Sequence, residues 1–265
     1  MNNVVLSEQR GSIRILTLNR PECLNAINAE LITALRLALT EANADDKTRV
    51  IILHGAGRAF CTGNDMKESE SRLEAGYSAE EARADARELQ EVTRQIVLNE
   101  KIVIAAINGW AVGAGFEWAI NCDFTVWAED ARAFFPELSW GLFATGGVMS
   151  LLSRTVGITR AREMLLLGEK YDARTLQEFG LAWRVVPEPM MMQTALQLAE
   201  QIAALPNTAV SRFKKTFNEA IYMDFEQTLA TEVEALVAGI TSTETEDLVK
   251  GFGKTGNLTG ERNEK

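Results

Sequence analysis

The feature that most limits the fold is an alternation of two hydrophobic patterns along roughly the first 190 residues. Runs rich in branched apolar residues, such as 12–21 and 48–57, are typical of strands. Between them, segment 28–45 carries apolar residues at helical spacing, and Asn28 stands where a helix cap is expected. Strands and helices that alternate in this way predict an α/β fold with a largely parallel sheet.

The pattern changes near residue 190, where the strand signals stop. Three successive segments with helical spacing follow, at 190–205, 208–221 and 223–240. We therefore predict two parts, an α/β core over residues 1–195 and a helical region over residues 196–265.

Composition and charge exclude several classes of protein. The chain has 27 Lys and Arg against 37 Asp and Glu, a net charge of −10, which disfavours nucleic acid and anionic membranes as partners. No run reaches the roughly 18 apolar residues of a membrane span, and the first residues lack the pattern of a signal peptide. The scattered cysteines, Cys23, Cys61 and Cys122, indicate free thiols and a cytoplasmic location.

The histidine content excludes two common kinds of catalytic site. His54 is the one histidine of the chain, so three histidines for a catalytic zinc ion do not exist, and we predict no metal. A serine triad would have to use His54, yet the sequence contains no GxSxG motif.

Two glutamates stand in segments whose composition is that of a protein interior. Glu117 lies within NGWAVGAGFEWAINCD, residues 108–123, and Glu137 follows Pro136 in a segment rich in aromatic residues. Burial raises the pKa of a carboxyl group, and two such groups in one pocket could hold a water molecule and move its protons. Either glutamate alone could instead cap a helix or pair with an arginine.

Two glycine-bounded loops suggest a site for a negatively charged oxygen. In VGAGFEW a strand gives way to a helix, so the amide of Ala114 lies at a helix N-terminus. The loop CTGNDMKE follows another strand and offers the amide of Asn64. Together they would form an oxyanion hole, although each loop alone could be an ordinary tight turn. A dinucleotide fingerprint is excluded because Trp118 occupies the third glycine position.

Four ordered motifs carry a resemblance to a known family. LNRPECLNAINAEL, RAFCTGNDMKE, IVIAAINGWAVGAGFEWAINCD and FFPELSWGLFATGG are similar to motifs of the crotonase, or enoyl-CoA hydratase/isomerase, superfamily, and the resemblance extends over residues 5 to 250. It implies a spiral of ββα units that carries the acyl-CoA site, followed by a helical C-terminal region that assembles trimers or hexamers. Coenzyme A would be part of the substrate, with no separate cofactor.

The resemblance also implies roles for individual residues. The amides of Asn64 and Ala114 would stabilise a thioester enolate, although Asn64 stands where many hydratases have alanine and Ala114 where glycine is usual. Glu117 and Glu137 match the two acidic positions of the hydratases. Because isomerases often keep only the second, retention of both favours hydration of a 2-enoyl-CoA.

Binding residues for coenzyme A and substrate follow from the same motifs. The segment after Pro21 often carries a basic residue near the phosphates, and here it reads ECLN, so lysines elsewhere would have to replace it. Lys214 is favoured over Lys101 because it falls where the family's C-terminal helix approaches the nucleotide. The full predicted set is Cys23, Leu24, Thr62, Gly63, Asp65, Met66, Lys67, Trp140 and Lys214.

Three other functions remain open at this point. An isomerase would move the double bond from position 3 to position 2 without adding water. ELSWG resembles hydratase-lyases that act on an aromatic acyl-CoA, and Trp118, Trp140 and Phe143 would suit a bulky acyl group or simply pack in the core. A non-catalytic scaffold or RNA-binding relative is disfavoured by the acidic charge and by the two glutamates.

Overall fold

The computed structural model describes residues 3–255. Its strands are β1 Val5–Arg10, β2 Ile13–Leu18, β3 Val50–Gly55, β4 Ile102–Ile107, β5 Trp110–Val112, β6 Phe124–Ala128, β7 Arg132–Phe134, β8 Tyr171–Asp172 and β9 Arg184–Val186. Its helices are α1 Ala29–Ala44, α2 Met66–Glu74, α3 Ala79–Val97, α4 Ala114–Asn121, α5 Val148–Val156, α6 Ile158–Leu167, α7 Ala173–Glu178, α8 Glu188–Ala203, α9 Asn207–Ala220, α10 Phe225–Ile240 and α11 Thr243–Thr255. Two short 3₁₀ turns cover Pro21–Cys23 and Glu137–Trp140.

The main sheet has the order β1-β2-β3-β4-β6-β9. From β2 to β9 all neighbours are parallel, as the alternation of strands and helices predicts. The central strands β3 and β4 are almost entirely buried, as is typical of parallel strands, whose two faces are usually both covered. Strand β1 pairs antiparallel with β2 and is largely exposed, so its sequence lacks the apolar pattern that would have predicted it.

A second, smaller sheet has the order β5-β7-β8 and lies next to the catalytic candidates. Two isolated β-bridges extend this sheet: Cys61 pairs with Ala111 of β5, and Asn64 pairs with Ile27. Backbone hydrogen bonds thereby hold several short segments side by side, although none of them forms a long strand. This layer fixes the backbone on which the predicted oxyanion hole depends.

Helix α1 follows the predicted pattern, whereas α2 does not. The side chain of Asn28 accepts a hydrogen bond from the amide of Leu31 and caps α1, as predicted. Helix α2 begins at Met66, inside the segment that was predicted to be a loop. It buries no residue, and its two apolar residues, Met66 and Leu73, are exposed, so it carries no continuous hydrophobic stripe that a sequence pattern would reveal.

The boundary predicted after residue 195 falls inside α8 and needs correction. This helix packs on β3, β4 and β6 and buries Met191, Ala195, Leu198 and Ala199, so it belongs to the α/β core. The helical C-terminal region begins with α9, which Lys214 and Asn218 bond to the core, and it also contains α10 and α11, the last of which was not predicted. Residues 256–265 of the predicted region lie outside the described residues. In the described part of the chain, no helix is long and apolar enough to cross a membrane.

Candidate active site

The start of α4 is the centre of the candidate site. Gly113 precedes the helix with φ +54°, a conformation that glycine adopts without strain, and its amide donates to the carbonyl of Phe134 in β7. The loop at Gly63 presses against the same point. A Cβ atom built on Gly63 would lie 2.8 Å from the carbonyl oxygen of Val112 and 3.7 Å from the amide nitrogen of Ala114. The two predicted glycine-bounded loops therefore meet at the N-terminus of α4.

The amides of Asn64 and Ala114 are both available for a ligand. Neighbouring backbone groups are paired, since Ile27 donates to Gly63, Asp65 donates to Ile27, and Val112 donates to Cys61. Within residues 3–255, neither Asn64 nor Ala114 donates its amide hydrogen to any acceptor. Free amides at a helix N-terminus favour an anionic oxygen, which is the requirement for an oxyanion hole.

Glu117 lies one helical turn beyond Ala114 and is almost completely buried, with 1% of its surface exposed. Its Oε2 atom accepts a hydrogen bond of 2.5 Å from the amide of Gly146. Burial raises the pKa of Glu117 to about 7, and the carboxylate of Glu137 adds to this increase. Backbone donors at Gly146 and Thr145 act in the opposite direction. Glu117 can therefore exchange a proton near neutral pH.

Glu137 also lies close to the start of α4. It opens the 3₁₀ turn that follows β7 and Pro136, and a Cβ atom on Gly113 would come within 2.5 Å of its Oε1 atom. Partial burial raises the pKa of Glu137. Its Oε2 atom is buried without a hydrogen-bond partner among the described residues. Because Glu137 also raises the pKa of Glu117, the two carboxyl groups share one electrostatic environment.

An open groove of about 610 Å³ adjoins the Asn64 loop. Its lining includes five of the predicted binding residues, Cys23, Thr62, Asp65, Met66 and Lys67. The other lining residues are Arg20, Glu22, Ala26, Asn28, Asn64 and Glu68. Leu24 and Gly63 support this region through their carbonyl groups, which accept hydrogen bonds from the Thr62 hydroxyl and the Ile27 amide. The groove is thus built from the two motifs predicted to hold coenzyme A.

Two residues that the sequence analysis left without a role shape the groove. Arg20 pairs with Asp65 at 3.1 Å and joins the two motifs. The Asn25 side chain donates to the carbonyls of Ala56 and Ala59 and accepts from the amide of Arg20. These bonds hold Leu24 and Asn25 in left-handed conformations, which are uncommon outside glycine. Both residues lie in the first quoted motif, but their contacts depend on tertiary structure.

The structure does not bring Lys214 to the groove, and its assignment as a nucleotide contact is corrected. The residue is 2% exposed. Its ammonium group donates to the carbonyls of Ile96 and Lys101 and to the carboxylate of Asp123, at 2.7 to 2.8 Å. All three donors of the side chain are used inside the protein. Lys101 is likewise held by the carbonyls of Ala42 and Asp45, so Lys67 is the predicted lysine that lines the groove.

The aromatic residues separate into two groups. Trp118 is fully buried in the core, which agrees with the interpretation that it packs there rather than contacting an acyl group. Trp140 shares the 3₁₀ turn with Glu137 and is 64% exposed, and Phe143 is equally exposed nearby. Trp140 therefore lies on the Glu137 loop rather than in the groove. Among residues 3–255, no group of three or more His, Cys, Asp or Glu side chains could hold a metal ion.

Comparisons with known proteins agree with this geometry. Residues 8–257 match the family described as enoyl-CoA hydratase/isomerase. The chain is 31% identical over 264 residues to a short-chain-enoyl-CoA hydratase of Clostridium acetobutylicum, covering 99% of both proteins. It is 33% identical over 220 residues to 1,2-epoxyphenylacetyl-CoA isomerase of Escherichia coli K12, covering 83% of this chain and 84% of that protein. The crystal structure of an enoyl-CoA hydratase from Bacillus anthracis superposes with a TM-score of 0.89 at 30% identity, covering 95% of this chain and 96% of that one.

The raised pKa of Glu117 predicts a specific pH dependence of stability. Between its ordinary value of 4.5 and about 7, the folded protein holds a proton that the unfolded chain has lost, so stability falls as pH rises through this window. Glu117→Gln removes that loss. We expect the variant to exceed the wild type in unfolding free energy by on the order of 3 kcal/mol at pH 8, with the difference largely gone at pH 4.

Urea unfolding at a series of pH values measures this difference. Glu129→Gln, at an exposed glutamate, is the matched control and should follow the wild-type curve. Parallel curves for the wild type and Glu117→Gln would contradict the raised pKa.

Proposed function

We infer that this chain, which belongs to the enoyl-CoA hydratase/isomerase family and has the crotonase fold, is an enoyl-CoA hydratase. It adds water across the 2,3-double bond of an acyl-CoA thioester. The observation that carries this conclusion is the presence of two carboxyl groups, Glu117 and Glu137, beside two free amides at the start of α4. Both groups have raised pKa values, as acid–base work near neutral pH requires.

The proposed mechanism begins with the thioester oxygen in the oxyanion hole. It accepts hydrogen bonds from the amides of Asn64 and Ala114. When a nucleophile adds to carbon 3, the electrons of the double bond move towards this oxygen and form an enolate. The two amides and the N-terminal end of α4 stabilise the negative charge, which is greater in this state than in the substrate.

The glutamates supply the proton transfers. Water binds between Glu117 and Glu137, and its oxygen forms the new bond to carbon 3 while one carboxylate takes its proton. The other glutamate, protonated at the start, gives its proton to carbon 2 as the enolate collapses. The product gains one water molecule, and the pair still holds one proton. Mutual repulsion and burial favour such a singly protonated pair.

We propose that coenzyme A lies in the groove next to Asn64. This places the thioester end at the amides and the remainder along Cys23, Thr62, Met66 and Lys67. Lys67 is the basic residue available there for a phosphate group, and Arg20 is already paired with Asp65. No further cofactor takes part in the proposed reaction.

We also propose that the protein works in the cytoplasm. Cys61 and Cys122 are buried as free thiols, and burial raises the pKa of each, so both are held in the unreactive thiol form. Free thiols of this kind suit a reducing compartment.

We propose further that the chain assembles as a trimer or hexamer. The helices after the core expose large apolar residues, including Phe213, Phe217, Phe225, Leu236 and Ile240, which is more than an isolated helical surface usually shows. Light scattering at micromolar concentration should give three or six times the chain mass. Truncation after Met223, which keeps α9 and its buried Lys214, should reduce the assembly to monomers. A monomeric mass for the full chain would rule the proposal out.

The alternative function is that of an isomerase, since one of the relatives is named as an isomerase. Substitution of the two glutamates distinguishes the two activities. For a hydratase, Glu117→Gln and Glu137→Gln should each reduce turnover by about 10²–10⁴-fold, because each keeps its shape but loses its titratable proton. The double variant should be far less impaired than the product of the single losses, since the two groups act on one water molecule. An isomerase would depend on Glu137 and tolerate Glu117→Gln.

The assay offers 2-enoyl-CoA and 3-enoyl-CoA thioesters to the wild type and the variants and identifies products by mass. Hydration adds the mass of one water molecule, whereas isomerisation moves the double bond at constant mass. A wild type that shifts the double bond without adding water, and that keeps this activity in Glu117→Gln, would overturn the hydratase assignment.

A further inference from the structure

The loop that binds Glu117 is itself held by a second side chain of α4. Asn121 lies four residues after Glu117, so both side chains leave the same face of the helix. The Nδ2 atom of Asn121 donates a buried hydrogen bond of 2.7 Å to the carbonyl of Gly146. The amide of Gly146 in turn donates to Oε2 of Glu117 at 2.5 Å. Gly146 is thus bound at both its carbonyl and its amide by one face of one helix.

The neighbouring peptide is supported from another helix. Gln90, in α3, donates from Nε2 to the carbonyl of Thr145 at 3.1 Å. The backbone of Thr145 also lies near Glu117 and lowers its pKa. Space is tight here, because a Cβ atom on Gly146 would lie 2.6 Å from Oε2 of Glu117. Small movements of residues 145 and 146 therefore change the environment of the carboxyl group directly.

We propose that Asn121, with Gln90 in a supporting role, is a positioning residue for hydration, because it holds the Gly146 amide against Glu117. The proposal rests on the function inferred for Glu117. Asn121 does not touch the reacting atoms and acts through the backbone of Gly146. A carbonyl oxygen at Gly146 requires a donor at this position, which the amide of Asn121 supplies and an apolar side chain does not.

The consequence for chemistry follows from the direction of each contact. The Gly146 amide stabilises the ionised form of Glu117, whereas burial and the facing carboxylate of Glu137 oppose it. If the Gly146 peptide loses its anchor, the hydrogen bond to Glu117 weakens and the ionised form is less favoured. The carboxyl group would then titrate at a higher pH and lose its fixed orientation towards the water molecule.

The chain offers a matched control in Asn108. Its Nδ2 atom also donates at 2.7 Å to a glycine carbonyl, that of Gly57, and the residue is buried like Asn121. In both asparagines, Oδ1 has no partner among the described residues. Leucine at either position keeps the number and branching of the side-chain heavy atoms and removes the same hydrogen bond. Any effect of general destabilisation should therefore be common to Asn121→Leu and Asn108→Leu.

The test measures the titration of Glu117 in protein without substrate. The infrared band of its protonated carboxyl group is recorded as a function of pH, and the band is identified by its absence in Glu117→Gln. We expect a midpoint near 7 in the wild type and in Asn108→Leu. Asn121→Leu should raise it by about one pH unit, and Gln90→Leu should raise it by less. In the hydration assay, Asn121→Leu should lower kcat by about 10-fold at pH 7 with little change in KM, and its pH profile should move in the same direction.

The titration needs no activity, so its outcome is separate from that of the proposed function. If Asn121→Leu does not fold, the milder Gln90→Leu decides through the same titration. An unchanged midpoint in the folded variants would overturn the proposal, as would an equal shift in Asn108→Leu. A loss of hydration in every protein, wild type included, would instead count against the proposed function.

Discussion

The structure depends on the close approach of three backbone segments at the first residue of α4. Gly63, Gly113 and Phe134 come together there, and the hydrogen bonds of the smaller sheet fix their spacing. A side chain at Gly63 would meet the carbonyl oxygen of Val112, and a side chain at Gly113 would displace the carboxyl group of Glu137. The result is a helix N-terminus with two free amides, one from the helix and one from the adjoining loop. A site of this kind is ready for a negatively charged oxygen before any ligand arrives, which avoids the cost of rearrangement during the reaction.

The second feature of the site is the carboxyl group of Glu117, whose surroundings oppose its ionisation. Glu117 is buried next to another acidic residue, and both conditions oppose its ionisation. A protein selected for stability alone would place an apolar residue at this position. The cost is consistent with function, since an acid–base group works best when its pKa lies close to the working pH. The backbone donors at Thr145 and Gly146 limit the cost and set the orientation of the group.

Much of the site was predictable because its charged catalytic candidates stand in segments whose other residues are apolar. A glutamate in a segment of glycine, alanine and tryptophan is conspicuous, and the motifs around it fixed the resemblance to a family. The parallel sheet was equally predictable from the alternation of patterns. Elements without an apolar pattern were missed, namely the exposed edge strand β1 and the polar helix α2.

Contacts between distant segments were beyond prediction. Lys214 and Lys215 are adjacent in the sequence and equally charged, yet packing buries the first and exposes the second. The sequence alone cannot distinguish them, and the assignment of Lys214 to the nucleotide was wrong for this reason. The bonds from Asn121 and Gln90 to the loop at 145–146 likewise cross 25 and 55 residues of chain. Such contacts exist only once the helices and loops have packed.

In the proposed mechanism, the amide of Ala114 stabilises the charge that develops on the thioester oxygen. Ala114 is the first residue of α4, a position where proline is well tolerated, so Ala114→Pro removes the donor while the helix can still form. Steady-state hydration of a 2-enoyl-CoA by this variant, folded as judged by circular dichroism, should fall by about 10² or more in kcat. Asn64→Ala keeps its amide and should cost far less. A folded Ala114→Pro variant with near wild-type turnover would contradict this role of the Ala114 amide.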